Sequence, residues 1–412
     1  MKYTSEHSSL KKLLSVPVIV AALGYFVDIY DLLLFSIVRV PSLKALHVPS
    51  ALLLEKGIYL INIQMAGMLL GGVLWGVIGD KKGRLTVLFG SILLYSVANI
   101  ANGFVTTVDQ YALLRFIAGI GLAGELGAGI TLVAEILPKA IRGYGTSIVA
   151  SVGVLGAVLA YVVADTFDWK AAYIIGGVLG LALLVLRFNV FESGMFSQVK
   201  EKKVSRGNFL SLFTSRIKLI KYLRCIMIGL PIWFVIGILL TFSPEFGKVL
   251  GIPVPVQAGK AVMFGYIGLS LGDLSSGLLS QYFKSRKKVV LLFLLLTSLF
   301  IALFLLQGSK NATVFYGLCL FLGFSIGFWA LFVTISAEQF GTNLRATVAT
   351  TVPNFVRGSV NISTPLFLLG KSYWGVLPAA GAVGGLTIMV AMIALWGMEE
   401  TFHKDLDYLE TM

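Results

Sequence analysis

The chain has 412 residues, of which 57% are hydrophobic and only 13% are charged. Soluble domains carry about 25% charged residues, so this composition excludes an ordinary soluble enzyme. The 33 basic residues outnumber the 20 acidic ones, but they lie in short loops between apolar runs, which excludes nucleic acid as the partner. Both cysteines, Cys225 and Cys319, lie inside apolar runs, so we expect neither a metal site nor a disulfide framework.

Twelve apolar segments are long enough to cross a bilayer, since a membrane-spanning helix needs about 20 residues. The first contains two aspartates and has no cleavage site after it, so we interpret it as a retained span and not a signal peptide. The sequence therefore predicts an all-α membrane protein with twelve transmembrane helices. The predicted spans lie near 16–38, 57–79, 85–104, 110–137, 143–164, 169–190, 222–246, 259–281, 289–307, 312–337, 346–368 and 373–397.

The loops after the even-numbered spans hold most of the lysines and arginines, including Lys81, Lys82, Arg286, Lys287 and Lys288. By the positive-inside rule these loops and both termini are cytoplasmic. We expect a monomer in the inner membrane of the cell, with the lipid bilayer as its surroundings.

A weak internal repeat divides the chain into two halves. Glu135 is followed seven residues later by Arg142, and Glu338 is followed seven residues later by Arg345, with an offset of 203 between the two pairs. The longest polar stretch separates six spans from six. We predict two pseudo-symmetric six-helix bundles at residues 1–191 and 222–398, joined by a cytoplasmic loop at 192–221 and followed by a tail at 399–412.

Several motifs carry a family resemblance. The segment 72–84, GVLWGVIGDKKGR, resembles the signature after the second helix of the major facilitator superfamily. The segments 24–31 (GYFVDIYD) and 115–135 (RFIAGIGLAGELGAGITLVAE) are similar to motifs of its metabolite:proton symporters. The Asp-x-Tyr-Asp form is equally similar to the phosphate:proton symporters, and Asp28 stands where the first group has glutamate, so the substrate stays open.

Charged residues within the spans are the candidates for the transport site, because an unpaired charge there costs about 2.5–3.5 kcal/mol. Asp28 and Asp31 share one helix face at depths of roughly 18 and 22 Å by helical rise. Arg115 reaches a similar depth on the fourth span, so we expect it to pair with Asp31. Two close carboxylates resist simultaneous ionisation, which makes Asp28 and Asp31 candidate proton carriers. Alternatively, they only hold helices together.

Arg357 is the one mid-membrane cation of the second half, and an anionic substrate held between Arg115 and Arg357 would bridge the halves. The alternative is a structural pair between Arg357 and Asp273. For Glu125, the family resemblance implies a role in proton coupling, and the alternative is a pair with a neighbouring helix. The further candidates for substrate contact are Gln64, Asn354, Trp329 and Trp233.

The family resemblance also implies a cytoplasmic latch, whose ion pairs hold the outward-facing state and break when the two bundles rock. Alternatively, its basic members only fix the topology. The latch candidates are Asp80, Arg84, Glu135, Arg142, Glu338 and Arg345.

We therefore predict a transporter and not an enzyme. It would import a small organic anion or zwitterion together with protons by alternating access, with the proton gradient as its energy source and no cofactor. The alternatives are a phosphate:proton symporter, a facilitator or exporter of the same fold, and a non-transporting nutrient sensor. A membrane-embedded enzyme is disfavoured, because no histidine lies in any predicted span.

Overall fold

The computed structural model describes residues 15–138, 141–187 and 207–402, together with residues 13 and 404. All regular secondary structure within these ranges is helical. Eleven helical segments there are long and apolar enough to cross a membrane, which makes the chain a multi-pass membrane protein. Residues 192–206 of the predicted central loop, and residues 403 and 405–412 of the predicted tail, lie outside the described residues.

We number the spans 1 to 12 in chain order. Spans 1 to 6 are Val16–Ala45, Leu53–Lys82, Arg84–Asn102, Val108–Leu122 with Glu125–Ile136, Arg142–Val154 with Gly156–Thr166, and Trp169–Leu186. Span 7 consists of Arg216–Met227, Leu230–Phe234 and the π-helix Val235–Leu240. Spans 8 to 12 are Ala258–Phe283, Arg286–Leu306, Ala312–Ser325 with Trp329–Glu338, Arg345–Gly358 with Val360–Trp374, and Val376–Trp396. Short helices at Ser50–Leu52, Ser211–Thr214 and Ser243–Val249 lie between spans.

Span 11, predicted at 346–368, is not among these eleven segments. It is broken at Ser359 into two helices of 14 and 15 residues, as spans 4, 5 and 10 are also broken. Its first half is rich in threonine and contains Pro353, which cannot donate a backbone hydrogen bond. Almost every residue of that half is buried, because it packs against other spans and not against lipid.

The helix breaks repeat between the two bundles. Span 4 is interrupted at Ala123, and span 10 is interrupted 203 residues later at Ile326. Span 5 is interrupted at Leu155, and span 11 at Ser359. Discontinuous helices in matching positions of two repeats are typical of the binding region of carriers. The region around these four breaks is therefore the candidate binding region.

Glycines allow two pairs of spans to pack backbone against backbone. A Cβ on Gly67 of span 2 would overlap the carbonyl oxygen of Phe116 in span 4. In the second bundle, a Cβ on Gly268 of span 8 would overlap the carbonyl oxygen of Leu320 in span 10. Small residues at such positions let membrane helices approach closely, so spans 2 and 4 form one tight pair and spans 8 and 10 form the equivalent one.

The surface is apolar and the interior carries the charge. One face of span 9 exposes a row of leucines at helical spacing, including Leu295 and Leu299, which are about half exposed. Asp28 and Arg357, in contrast, are fully buried. This inverts the usual distribution of a soluble protein and fits a chain surrounded by lipid.

Replacing Gly268 by alanine is expected to destabilise the protein, because the new methyl group must displace the backbone of span 10. Overpacking of this kind costs about 1–3 kcal/mol. The measurement is the unfolding temperature of purified protein in detergent. Gly385→Ala serves as the control, since a Cβ at Gly385 meets no atom within 4 Å; equal effects of the two substitutions would contradict the packing described for spans 8 and 10.

Candidate functional site

Asp28, on span 1, faces an arginine of the opposite bundle. Its Oδ2 lies 4.0 Å from Nη2 of Arg357 on span 11, and both side chains are fully buried. The alternative partner of Arg357, Asp273, instead accepts a hydrogen bond of 2.9 Å from the backbone N–H of Ala330. The charge pair therefore bridges the two bundles.

Aromatic side chains enclose the Arg357 guanidinium. It lies 5.4 Å from the ring of Trp329 and 6.0 Å from the ring of Trp233, within the range of cation–π attraction. The indole N–H of Trp329 donates a hydrogen bond of 2.8 Å to the hydroxyl of Tyr25 on span 1. We call Tyr25, Asp28, Trp233, Trp329 and Arg357 the Arg357 cluster.

Several polar atoms of this cluster are left without partners. Nε and Nη2 of Arg357 and both carboxylate oxygens of Asp28 make no hydrogen bond to any described residue. The 4.0 Å separation of the pair exceeds hydrogen-bond length. Buried polar groups are normally satisfied, so the unpaired atoms at this bundle interface make the Arg357 cluster a candidate site for a polar solute.

Asp31 lies one turn further along span 1, beside Arg115 and Asn99. Arg115 donates a short hydrogen bond to the side-chain oxygen of Asn99 and lies 4.7 Å from the ring of Tyr173. The expected direct ion pair between Asp31 and Arg115 is not formed, and both oxygens of Asp31 lack a hydrogen-bond donor among the described residues. Asn99, and not Asp31, accepts the hydrogen bond from the Arg115 guanidinium. Asn99 carries no charge, so the search for charged residues within the spans did not identify it.

Glu125 makes a buried ion pair in which both carboxylate oxygens accept hydrogen bonds. Arg187 donates to its two oxygens at 2.7 and 2.6 Å, and Ser91 donates to it at 3.1 Å. Gly24 of span 1 leaves room for the pair, since a Cβ there would overlap Arg187. The structure thus contains the pair with a neighbouring helix that was the alternative reading for Glu125. Arg187 is absent from the candidates predicted from the sequence. Its position within the predicted span 169–190 was the signal that could have identified it as a buried charge.

Two predicted amide residues hold helices together. Gln64 donates a hydrogen bond of 3.3 Å to the carbonyl of Leu32 on span 1. Asn354 donates to the carbonyl of Ala123, at the break of span 4, over 2.8 Å, and accepts one of 3.3 Å from Arg357. Asn354 therefore connects Arg357 to the interrupted helix of the other bundle.

At the end of the bundle that carries the basic loops, Asp80 binds the start of span 11. It accepts hydrogen bonds from the backbone N–H groups of Ala346 at 3.1 Å and Thr347 at 2.8 Å, and from the Thr347 hydroxyl at 2.6 Å. These N–H groups belong to the first turn of a helix, whose positive dipole end favours an anion. Thr347 and Ala346 were not among the predicted latch residues.

The other latch candidates form ion pairs at the same end. Glu135 lies 2.8 Å from Arg84 and 3.6 Å from Arg345 of the other bundle, and Asp80 lies 3.6 Å from Arg84. Glu338 pairs with Arg286 at 2.6 Å. The side chain of the remaining candidate, Arg142, lies outside the described residues. We call the contacts of Asp80, Arg84, Glu135, Arg345 and Thr347 the latch.

Comparisons with known proteins agree with this architecture. Residues 21–365 match the family model described as Major Facilitator Superfamily. The chain is 27% identical to a putative niacin/nicotinamide transporter of Bacillus subtilis, over 85% of this chain and 86% of the relative. It is 25% identical to the sialic acid transporter NanX of Escherichia coli, over 79% of each chain. A structure of the proton:xylose symporter XylE shares the fold, with a TM-score of 0.75 at 16% identity, over 97% of this chain and 98% of that one.

Glu125→Ala should strongly destabilise the protein, because it leaves the buried Arg187 unpaired. Removing one partner of a buried ion pair costs about 3–5 kcal/mol in the free energy of unfolding. Ser91→Ala, the control, removes one hydrogen bond to the same carboxylate and should cost about 1 kcal/mol. Unfolding temperatures in detergent compare the two. If both variants unfolded at the same temperature, the Glu125–Arg187 pair would not be the structural support described here.

Proposed function

The chain belongs to the Major Facilitator Superfamily, and from its buried site we propose that it imports a small organic anion together with protons by alternating access. The Arg357 cluster carries this proposal, because it places a buried guanidinium with unpaired donors between the two bundles. Relatives of the chain are named as transporters of niacin and of 4-hydroxybenzoate, and both solutes are aromatic carboxylates. These names support an anion of that kind as the substrate.

The chemistry of the cluster suits a flat carboxylate. A guanidinium binds a carboxylate through two parallel hydrogen bonds, and the free Nε and Nη2 of Arg357 are a suitable pair of donors. The rings of Trp233 and Trp329 offer apolar faces on which an aromatic ring can pack. Phosphate would use the guanidinium and leave the aromatic faces unused, so the geometry favours an organic anion over phosphate.

Asp28 and the carboxylate of the solute would compete for the same cation, Arg357, and this competition would couple transport to protons. Asp28 and a bound carboxylate would place two negative charges beside Arg357, and their repulsion is strong in a medium of low dielectric constant. Protonation of Asp28 removes that repulsion, so proton and anion bind together. Asp31, one turn away and without a hydrogen-bond donor, is the second proposed proton carrier. Glu125 can take part only when its pair with Arg187 opens.

The latch sets the direction of access. The positive-inside rule places the end with the basic loops, and both termini, in the cytoplasm. The latch contacts then close the site from the cytoplasmic side of an inner membrane, and their release lets the bundles rock to the inward-facing state. The transporter would work as a monomer, with the proton gradient as its only energy source.

A matched ligand pair tests the proposed anion site. Nicotinate should raise the unfolding temperature of the purified protein, and nicotinamide, with the same ring and no charge, should not. If another carboxylate is the preferred solute, benzoate and 4-hydroxybenzoate in the same screen should reveal it. Arg357→Gln should weaken binding by at least about tenfold, because a charge-assisted hydrogen bond is lost. Lys310→Gln, an exposed cation in a loop, should bind normally. Equal shifts by neutral and anionic ligands would refute the site.

The coupling is tested in proteoliposomes with the carboxylate that binds. A protonophore should abolish accumulation by the native protein. Asp28→Asn imitates the protonated side chain, so it should still exchange substrate across the membrane but no longer accumulate it. Asp109→Asn, an exposed position in the first turn of span 4, is the control. Uptake that continues unchanged without a proton gradient would show that the protein is a facilitator.

Loss of the latch should expose the cytoplasmic side of the bundle interface. Asp80→Asn removes the charge that binds the helix start at Ala346 and Thr347, so a cysteine introduced at Ser147, which packs against Gly277 of span 8, should react several-fold faster with maleimide. Glu55→Gln, at the other end of the same helix, is the control. The native cysteines are buried and give a low background. An unchanged labelling rate would mean that Asp80 does not hold this side closed.

A further inference from the structure

A groove of about 890 Å³ lies between spans 9 and 12 on the exposed surface of the second bundle. Its lining begins at Lys287, Lys288 and Trp396 and ends at Ser298 and Gly385. The remaining lining residues are apolar, and no acidic side chain of the described part of the chain lines it. The groove is therefore apolar along its length and basic at one end.

The length of the groove matches one leaflet of a bilayer. The helical rise from Lys287 to Ser298 on span 9, and from Gly385 to Trp396 on span 12, is about 16 Å. The hydrocarbon core of a bilayer is about 30 Å thick, so one leaflet is about half of that. Trp396, at the basic end, is 89% exposed, as is typical of aromatic residues at the membrane–water interface. The groove thus extends from headgroup level to the middle of the membrane.

Glycines of span 12 keep the groove open without serving the packing of helices. A Cβ on Gly385 would meet no atom within 4 Å, and one on Gly381 would only touch Leu305 at 3.7 Å. Gly268, in contrast, has the backbone of span 10 directly against it. Larger side chains would fit at Gly381 and Gly385, so these glycines leave a space on the exposed surface that an acyl chain can fill.

The two lysines present free N–H groups at the basic end. Nζ of Lys287 donates to the carbonyl oxygens of Met398 and Trp396, which fixes it beside the end of span 12. An ammonium group has three N–H donors, so one of them remains. Lys288 is exposed, and its ammonium has no partner among the described residues.

Glu400 is an acid at the same end of the bundle, and it is engaged elsewhere. Its carboxylate accepts hydrogen bonds from the hydroxyl of Ser285 and from the backbone N–H of Arg286, at the start of span 9. It does not line the groove. The positive charge of the two lysines at the groove is therefore not cancelled by this carboxylate.

A second groove continues along the same two spans and lacks the charge. Its volume is about 530 Å³, and it shares Ser298, Gly385 and Ile388 with the first. Its lining extends to Leu306 and Leu377 and contains no charged residue. An apolar chain fits both grooves, but only the first offers cations to an acidic headgroup.

We propose that the groove between spans 9 and 12 is a binding site for one acidic phospholipid of the cytoplasmic leaflet. The phosphate binds Lys287 and Lys288, and an acyl chain lies along Gly385. The positive-inside rule places these lysines at the cytoplasmic surface, where basic pockets between membrane helices bind anionic headgroups. A second copy of the chain is a poorer occupant, because a two-fold interface would bring the same lysines of both copies together. The site shares no residue with the Arg357 cluster, so it does not depend on the proposed substrate.

The test compares two lipids with the same acyl chains on purified, delipidated protein in detergent. Dioleoyl phosphatidylglycerol is acidic and dioleoyl phosphatidylcholine has no net charge, and native mass spectrometry measures the binding of each. Phosphatidylglycerol should bind at least about fivefold more tightly, because each lysine near an anionic lipid contributes roughly that factor. Equal binding of the two lipids to the native protein would overturn the proposal.

Lysine variants test whether the preference comes from this groove. The double variant Lys287→Gln with Lys288→Gln should lower the preference to less than about twofold. Lys288→Gln alone should reduce it and keeps the contacts of Lys287 with span 12. Lys284→Gln, an exposed lysine of the same loop that does not line the groove, should keep the full preference. If the double variant kept it too, the lysines would only fix the topology.

A groove-filling variant tests the place of the acyl chain. Gly385→Phe should weaken the binding of phosphatidylglycerol at least about fivefold, because the ring occupies the space of a chain while both lysines remain. Its unfolding temperature in lipid-free detergent should equal that of the native protein, since a Cβ there meets no atom. Unchanged lipid binding would overturn the site. If the same variant also converted a dimer into a monomer, the groove would be an interface between two copies instead.

Discussion

A charge in the interior of a membrane protein persists only beside groups that stabilise it, and this constraint organises the whole bundle around span 1. Gly24 leaves space for Glu125 and its arginine. Asp28, one turn later, faces Arg357, and Asp31 lies beside Arg115. Spans 3, 4, 6 and 11 must approach span 1 to supply these partners, and the glycine contacts and helix breaks make that approach possible.

The buried charges differ in how completely they are satisfied, and this difference is the basis on which we propose a structural role for some and a functional role for others. The carboxylate of Glu125 receives hydrogen bonds from Arg187 and Ser91, so little is gained by any further ligand. Asp28 and Arg357 face each other beyond hydrogen-bond length and retain free atoms. A satisfied pair resists rearrangement, whereas an incompletely satisfied one can accept a proton or a solute with a net gain in free energy.

The sequence predicted the architecture well, because its signals are local or repeated. Apolar runs indicate spans, and the matching spacing of Glu135 and Glu338 indicates duplication. The partners within the site were harder to predict, since they depend on which spans pack together. Arg357 could have paired with Asp273 by depth alone, but the start of the helix at Trp329 occupies that aspartate. The break of span 4 at Ala123 contains no proline, so it left no clear mark in the sequence.

The binding mode of Asp80 bears on how this family of carriers can diversify. Two of its three hydrogen bonds come from the main chain at Ala346 and Thr347, and a main-chain donor survives every side-chain replacement except proline. Span 11 can therefore vary at the positions that we propose contact the solute without losing its attachment to span 2. Side chains on this helix can change while the main-chain contact with Asp80 is retained.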